Sequence, residues 1–141
     1  MAKYFKLSEF LYSSTAYKHK IDNTPNEEQK EHLIELMEFM DGFRAFWGGP
    51  IIVSSGFRCE ELNELVGGAK NSAHKYGYAV DFVPANNKKK ECYEAFKEYL
   101  KDKEFDELLL EKNSKGSIWI HFALKSYQNK QRKKIKTLEV K

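Results

Sequence analysis

Three residues in this chain have the types and the order from which a metal site can be built. His74 and Asp81 lie seven positions apart in Ser72-Ala73-His74-Lys75-Tyr76-Gly77-Tyr78-Ala79-Val80-Asp81, and a second histidine follows in Trp119-Ile120-His121. A neutral imidazole and an ionised carboxylate both offer lone pairs to a divalent cation. Two histidines with one carboxylate form a common catalytic zinc set that leaves a fourth position for water. Gly77 lets the backbone turn sharply between the first two. Spacing alone leaves a plainer alternative open, in which His74 caps a turn and Asp81 belongs to one.

The elements that must carry these residues favour the metal. Tyr78–Val83 reads as a strand closed by Pro84, with Tyr78, Val80 and Phe82 on one face and Ala79, Asp81 and Val83 on the other. A carboxylate on that face is costly unless it is paired or metal-bound. Ile118–Leu124 reads as another strand, with Trp119, His121 and Ala123 sharing a face, and it forms a β-hairpin with Leu108–Glu111 across a turn that holds Gly116. If the loop spans 113–117, Glu111 lies opposite Trp119 and turns toward the face of His121; a slip of one residue would turn it away. Asp106 and Glu107, at the entry to the same strand, are expected to face solvent or cap the preceding helix. Arg58 follows the β-branched strand Ile51–Ser54 and Gly56, where a guanidinium fork suits a carboxylate or an oxyanion. A salt bridge to Glu60 or Glu61 is its structural alternative. Ser72 can bond a substrate or orient the His74 loop.

The remaining elements read as scaffold. Thr24-Pro25-Asn26-Glu27 gives an N-cap, a proline at the first helical position and a glutamate closing a capping box. Leu33, Leu36, Met37, Met40, Phe43 and Trp47 then recur at helical spacing until Gly48-Gly49-Pro50. His32 on this helix, and His19 between two lysines, are read as half-buried or surface residues rather than ligands. A short helix over 60–66 stops at Gly67-Gly68, and a second follows the Asn86–Lys90 loop with Cys92, Phe96, Tyr99 and Leu100 on one face. Phe5, Leu7, Phe10 and Leu11 anchor the N-terminus as a strand or a turn of helix, with Ser8 a possible cap. The sum is an α+β domain with a small, mainly antiparallel sheet and flanking helices.

A chain of 141 residues, 41% of them hydrophobic, is enough for one core and too short for two ordinary domains. The expected division is a domain over 1–130 and a basic tail over 131–141. The net charge of +3 does not mark the body as a polyanion binder, so no specific nucleic acid is expected, and a monomer is. Seven basic side chains against one acid after Leu124 leave a solvated tail as the plain reading and attraction to an anionic surface as the sharper one. No run of about 18 apolar residues spans a membrane, and Met1–Lys6 lacks the apolar core of a secretory signal. Cys59 and Cys92 are read as free thiols.

Ser55-Gly56-Phe57-Arg58, Asn63 with Val66-Gly67-Gly68, Ser72-x-His74-x-x-Gly77-x-Ala79-x-Asp81 and Trp119-x-His121 together resemble the zinc D-alanyl-D-alanine carboxypeptidase family of bacterial and phage cell-wall peptidases. Its short single-domain branch is similar even at Phe5-x-Leu7-x-Glu9-Phe10 and Ile21-Asp22-Asn23-x-Pro25, so the resemblance covers about residues 3–130. It implies the fold shared with the hedgehog signalling domain, a zinc cofactor on His74, Asp81 and His121, and hydrolysis of peptidoglycan stem peptides by a metal-activated water. It also implies synthesis in the cytoplasm with release to the cell wall by a phage-type route. Many members carry an acid three positions before the last histidine, where this chain has Ile118. The general base is therefore sought at Glu111, with Arg58 and Ser72 toward the substrate. An inactive zinc-binding recognition module of the same fold, and a basic-tailed nucleic-acid binder, are the alternatives.

Overall fold

A computed structural model describes residues 2–139. Helices α1 (Leu7–Leu11) and α2 (Ser14–Lys18) lead into the long α3 (Glu27–Trp47). Strand β1 (Ile51–Ser55), α4 (Glu60–Leu65), a 3-10 turn (Ala73–Tyr76) and β2 (Ala79–Pro84) come next, followed by α5 (Lys89–Tyr99), β3 (Glu107–Lys112), β4 (Ile118–Ala123) and β5 (Lys134–Glu139). The five strands form one sheet in the order β1-β2-β4-β3-β5. Every pairing is antiparallel except that of β5 on β3. This is the α+β architecture expected, with a mostly antiparallel sheet.

The sheet is two-faced because its strands alternate. Val80, Phe82, Ile120, Phe122 and Leu108 are fully buried and meet Phe43 of α3 and Phe96 of α5. The rings of Phe43 and Phe96 lie 4.1 Å apart, and those of Phe96 and Phe122 4.9 Å apart. Burying an aromatic side chain of this kind is worth about 1.5–3 kcal/mol, so this face fixes where the strands sit. The opposite face carries the chemistry. Ser55 pairs with Asp81 across β1 and β2, Asp81 with His121 across β2 and β4, and His121 with Leu109 across β4 and β3. Cross-strand partners share a face, so register alone brings Asp81 and His121 together.

Three expectations are corrected. Helix α3 is capped two residues later than Thr24: Asn26 accepts from the Gln29 amide, and the Gln29 side chain accepts in return from the Asn26 amide. The two overlapping box patterns compete, and Thr24 turns instead to Asp22. Helix α1 likewise begins at Leu7, before the Ser8 cap expected of it. Within the expected tail, Lys134–Glu139 form strand β5, whose backbone pairs with β3 from Glu107–Lys134 to Lys112–Glu139. Lys136 and Thr137 stay exposed and Ile135 is 40% exposed, so the strand leaves no alternating burial in the sequence. Both cysteines are free, and burial pushes the Cys92 thiol up to about 12. Among the described residues no helix is long and apolar enough to cross a membrane.

Candidate metal centre and catalytic cleft

His74 reaches the sheet from the 3-10 turn, and several contacts hold that turn. Ser72 caps it by accepting from the His74 amide. Gly77 ends it at φ 82°, where any Cβ would stand 2.6 Å from the Gln29 carbonyl of α3. Only glycine permits both the left-handed backbone and that approach. His32 is half-buried; its Nδ1 pairs with the Tyr76 carbonyl at 2.7 Å, and its ring stacks on Tyr78. It is therefore a support for the turn, and His19 is exposed and outside the candidate metal set. Gly56 packs against Phe10 so closely that a Cβ would run into the Phe10 carbonyl. This places the Gly56 carbonyl 2.7 Å from His74 Nδ1.

That bond decides the tautomer of His74. A carbonyl only accepts, so Nδ1 carries the proton and Nε2 presents its lone pair. Nε2 faces Asp81 Oδ1 at 3.3 Å. Two lone pairs directed at each other across a buried gap call for a cation between them. His121 closes the set, with Nδ1 2.8 Å from the same Asp81 oxygen. One donor atom from each of the three residues lies within 4.8 Å of the others. Nitrogen, nitrogen and carboxylate oxygen at this spacing fit a divalent metal of the zinc type.

Residues 3–123 match the family model described as Peptidase M15. The chain belongs to the Peptidase M15 family. No curated protein is found to match it. As a Peptidase M15 chain it falls among zinc-dependent peptidases, and the His74, Asp81 and His121 set is where its residues can hold the ion.

Around the triad of this Peptidase M15 chain lies a cleft of about 730 Å³, bounded by Arg58, Ser72, Glu107, Glu111, Trp119, Tyr127 and Arg132 among others. Glu111 pairs with Trp119 in the register that a 113–117 loop dictates, accepting from the Trp119 indole at 2.8 Å and standing 4.0 Å from His121 Nδ1. Burial raises its carboxyl above the ordinary value, helped by the charge of Asp81 and opposed by His121. Asp81 goes the other way: burial alone would raise it, yet His74 and His121 hold it well below the usual carboxylate range. Burial lowers His74, in keeping with a neutral ring. His121, whose burial would do the same, is pushed up to about 10 by hydrogen bonds to Asp81 and Glu107.

Arg58 has no carboxylate within ion-pair distance among the described residues, and Glu60 pairs with Lys75 instead. Its Nη2 donates to Ser72 Oγ at 3.3 Å, while its buried Nε has no partner. Ser72 thus serves both the His74 turn and Arg58. Sequence reasoning gave no role to Asn23, whose side chain donates to the carbonyls of Leu11 and Phe57 and accepts from the Cys59 amide. It clamps the backbone on both sides of Arg58. Its place in Ile21-Asp22-Asn23-x-Pro25 was the available signal.

Asp106 and Glu107 do not face solvent, and neither caps a helix. Asp106 is 1% exposed and accepts from Arg132 Nε and Nη2, each at 2.8 Å. Glu107 Oε1 lies 3.3 Å from His121 Nε2. Their partners lie far along the chain, so strand-entry position said nothing of their burial.

Proposed function

We propose that this chain is a zinc-dependent peptidase that hydrolyses peptide bonds in peptidoglycan stem peptides, of the D-Ala-D-Ala carboxypeptidase or endopeptidase type. The observation that carries the reading is the His74 lone pair aimed at Asp81 beside His121, inside an open cleft that also holds a half-buried carboxyl with a raised pKa. Zinc held by His74, Asp81 and His121 would polarise the scissile carbonyl and bring a water toward ionisation near neutral pH.

The chain's own residues do the rest. Glu111, anchored by the Trp119 indole, takes a proton from water and returns it to the leaving amine. A carboxyl drawn upward by burial suits both halves of that exchange. It would fill the role left open by Ile118 from the neighbouring strand. Arg58, which lines the cleft and forms no ion pair among the described residues, binds the carbonyl oxygen or the terminal carboxylate of the substrate. Ser72 orients it.

The polyanion reading loses ground to the ion pairs of the basic segment. Lys125 meets Glu35, Arg132 meets Asp106, Lys133 meets Glu104 and Lys134 meets Glu107. Four of its cations thus answer acids of the body.

Mass spectrometry of peptidoglycan digests, run with and without chelator, tests the proposal. Shortened stem peptides or opened cross-links that disappear with chelator and return with zinc are expected. A zinc-loaded protein that leaves the peptides intact would overturn the hydrolase reading in favour of a recognition module.

A further inference from the structure

His121 is the one member of the triad with carboxylates at both ring nitrogens. Nδ1 faces Asp81 at 2.8 Å, and Nε2 faces Glu107 Oε1 at 3.3 Å. Only one of these nitrogens can face the metal set. The other must then carry a proton, and it needs an acceptor to hold the ring in plane. His74 solves this problem with a backbone carbonyl at Gly56. His121 stands in the middle of a strand whose own carbonyls serve the sheet, so its acceptor has to be a side chain from β3.

Glu107 is placed for that task by two further contacts. It pairs with Ala123 across β3 and β4, two residues from the His121 register position and on the same face. Its second oxygen, Oε2, lies 3.7 Å from Lys134 Nζ on β5. Lys134 in turn is fixed through its backbone, which donates to the Asp106 carbonyl at 2.9 Å. Residue 134 lies outside the 3–123 span that matches the family.

We propose that Glu107 is a positioning residue, which holds the Nε2 proton of His121 so that Nδ1 is the nitrogen presented to the metal, and that Lys134 of β5 steadies Glu107 from the far side. Glu107 does not touch the reacting atoms in this arrangement; it acts through the imidazole. The C-terminal strand thereby joins the metal centre through three side chains, Lys134, Glu107 and His121. Outer partners of metal-bound histidines fix the ring and raise its basicity, and their loss weakens metal affinity by roughly 10–100-fold.

This proposal rests on the metal-centre reading above, and the test separates the two. Zinc affinity of the full chain is measured by competition with a chromophoric chelator, the visible spectrum of the cobalt-substituted protein is recorded, and melting is followed in parallel. Glu107→Ala is expected to weaken zinc by roughly 10–100-fold and to alter the cobalt spectrum while the protein stays folded. Glu107→Gln, which keeps an acceptor oxygen, recovers much of the affinity. Lys134→Met weakens zinc by no more than about fivefold, the reach of a half-exposed ion pair. Unchanged zinc affinity and cobalt spectrum in folded Glu107→Ala overturn the proposal, whether the variant melts lower, which makes Glu107 structural, or loses only turnover, which makes it the base. A wild-type chain that takes up no zinc overturns both readings. One that binds zinc but cleaves nothing removes the hydrolase reading alone.

Discussion

Two carboxylates, Asp81 on β2 and Asp106 at the entry to β3, are withdrawn from solvent, and they behave in opposite ways. Asp106 is gripped by the Arg132 side chain at both oxygens and by the Arg132 amide. Asp81 faces two imidazoles, one of them through a lone pair. A guanidinium never gives up its proton and cannot coordinate a metal. Asp106 is therefore a finished contact, a clamp that ties the segment after β4 to the start of β3. Imidazoles can exchange a proton for a cation, so the Asp81 cluster is open to chemistry. The partner, more than the depth of burial, separates a closed ion pair from a cluster able to hold a metal.

The largest effect expected on this contrast comes from the Asp81 side. His74→Ala and His121→Ala should each abolish stoichiometric zinc in protein that is still folded, as read by metal analysis after gel filtration. Full retention of zinc in either would break the metal-centre reading.

Glu111→Gln sharpens the contrast without touching the donors. Zinc should remain bound while turnover falls by roughly 10²–10⁴-fold, the usual worth of general acid–base catalysis. Normal turnover would pass the role to another group.

On the other side, Arg132→Ala leaves Asp106 buried without a counter-charge. Arg132 is itself half-exposed and its amide still donates to Asp106, so the expected cost is about 1–3 kcal/mol of stability, read by denaturant melts, with zinc affinity little changed. A variant that melts normally yet loses zinc would mean that the two clusters are not separate.

The smallest effect is a pH profile. In chelated protein, Asp81 is held below its ordinary 3.8, so its contribution is full above about pH 4 and lost as the pH falls further. His121 is raised from 6.5 to about 10, so its contribution is full below 6.5 and fades as the pH climbs toward 10. His74, lowered by burial, works against stability below 6.5, so the clear expectation is on the alkaline side: the metal-free melting temperature should fall as the pH climbs from 6.5 toward 10. Zinc competes with the proton on His121, so the rise in melting temperature that zinc confers should grow with pH. A zinc effect that is flat from pH 6 to 9 would contradict the shared proton.

Much of this arrangement was legible because period and register act locally. Leu33 to Trp47 announced α3, and the alternation around Asp81 and His121 announced the faces of β2 and β4. A loop over 113–117 was one of the registers open to the hairpin, and it is the one that turns Glu111 inward. What escaped depends on partners distant in sequence. Asp106 and Arg132 are separated by 26 positions, and nothing near Asp106 indicates that a guanidinium will arrive to allow its burial. Strand β5 escaped because it joins the sheet through its backbone while Lys136 and Thr137 remain in water. The Asn26 cap escaped because Thr24 offered an equally good pattern two residues earlier.

The Asn23 clamp has a consequence for how the protein comes apart. Its bonds to Phe57 and Cys59 span 34 and 36 positions and join the N-terminal segment to the two flanks of Arg58. Asp81 and His121 depend instead on strands paired within the sheet. Partial opening that lifts the short helices α1 and α2 away would free the arginine loop and leave those strands closed. Warmed short of global melting, the chain would then pass through a state in which the pairing of Asp81 and His121 persists while the Arg58 loop is released. Amide exchange at Phe57 to Cys59 would run ahead of exchange at Val80 to Phe82. On the proposed reading, failure under stress would show first as weakened substrate capture, with release of the metal following later.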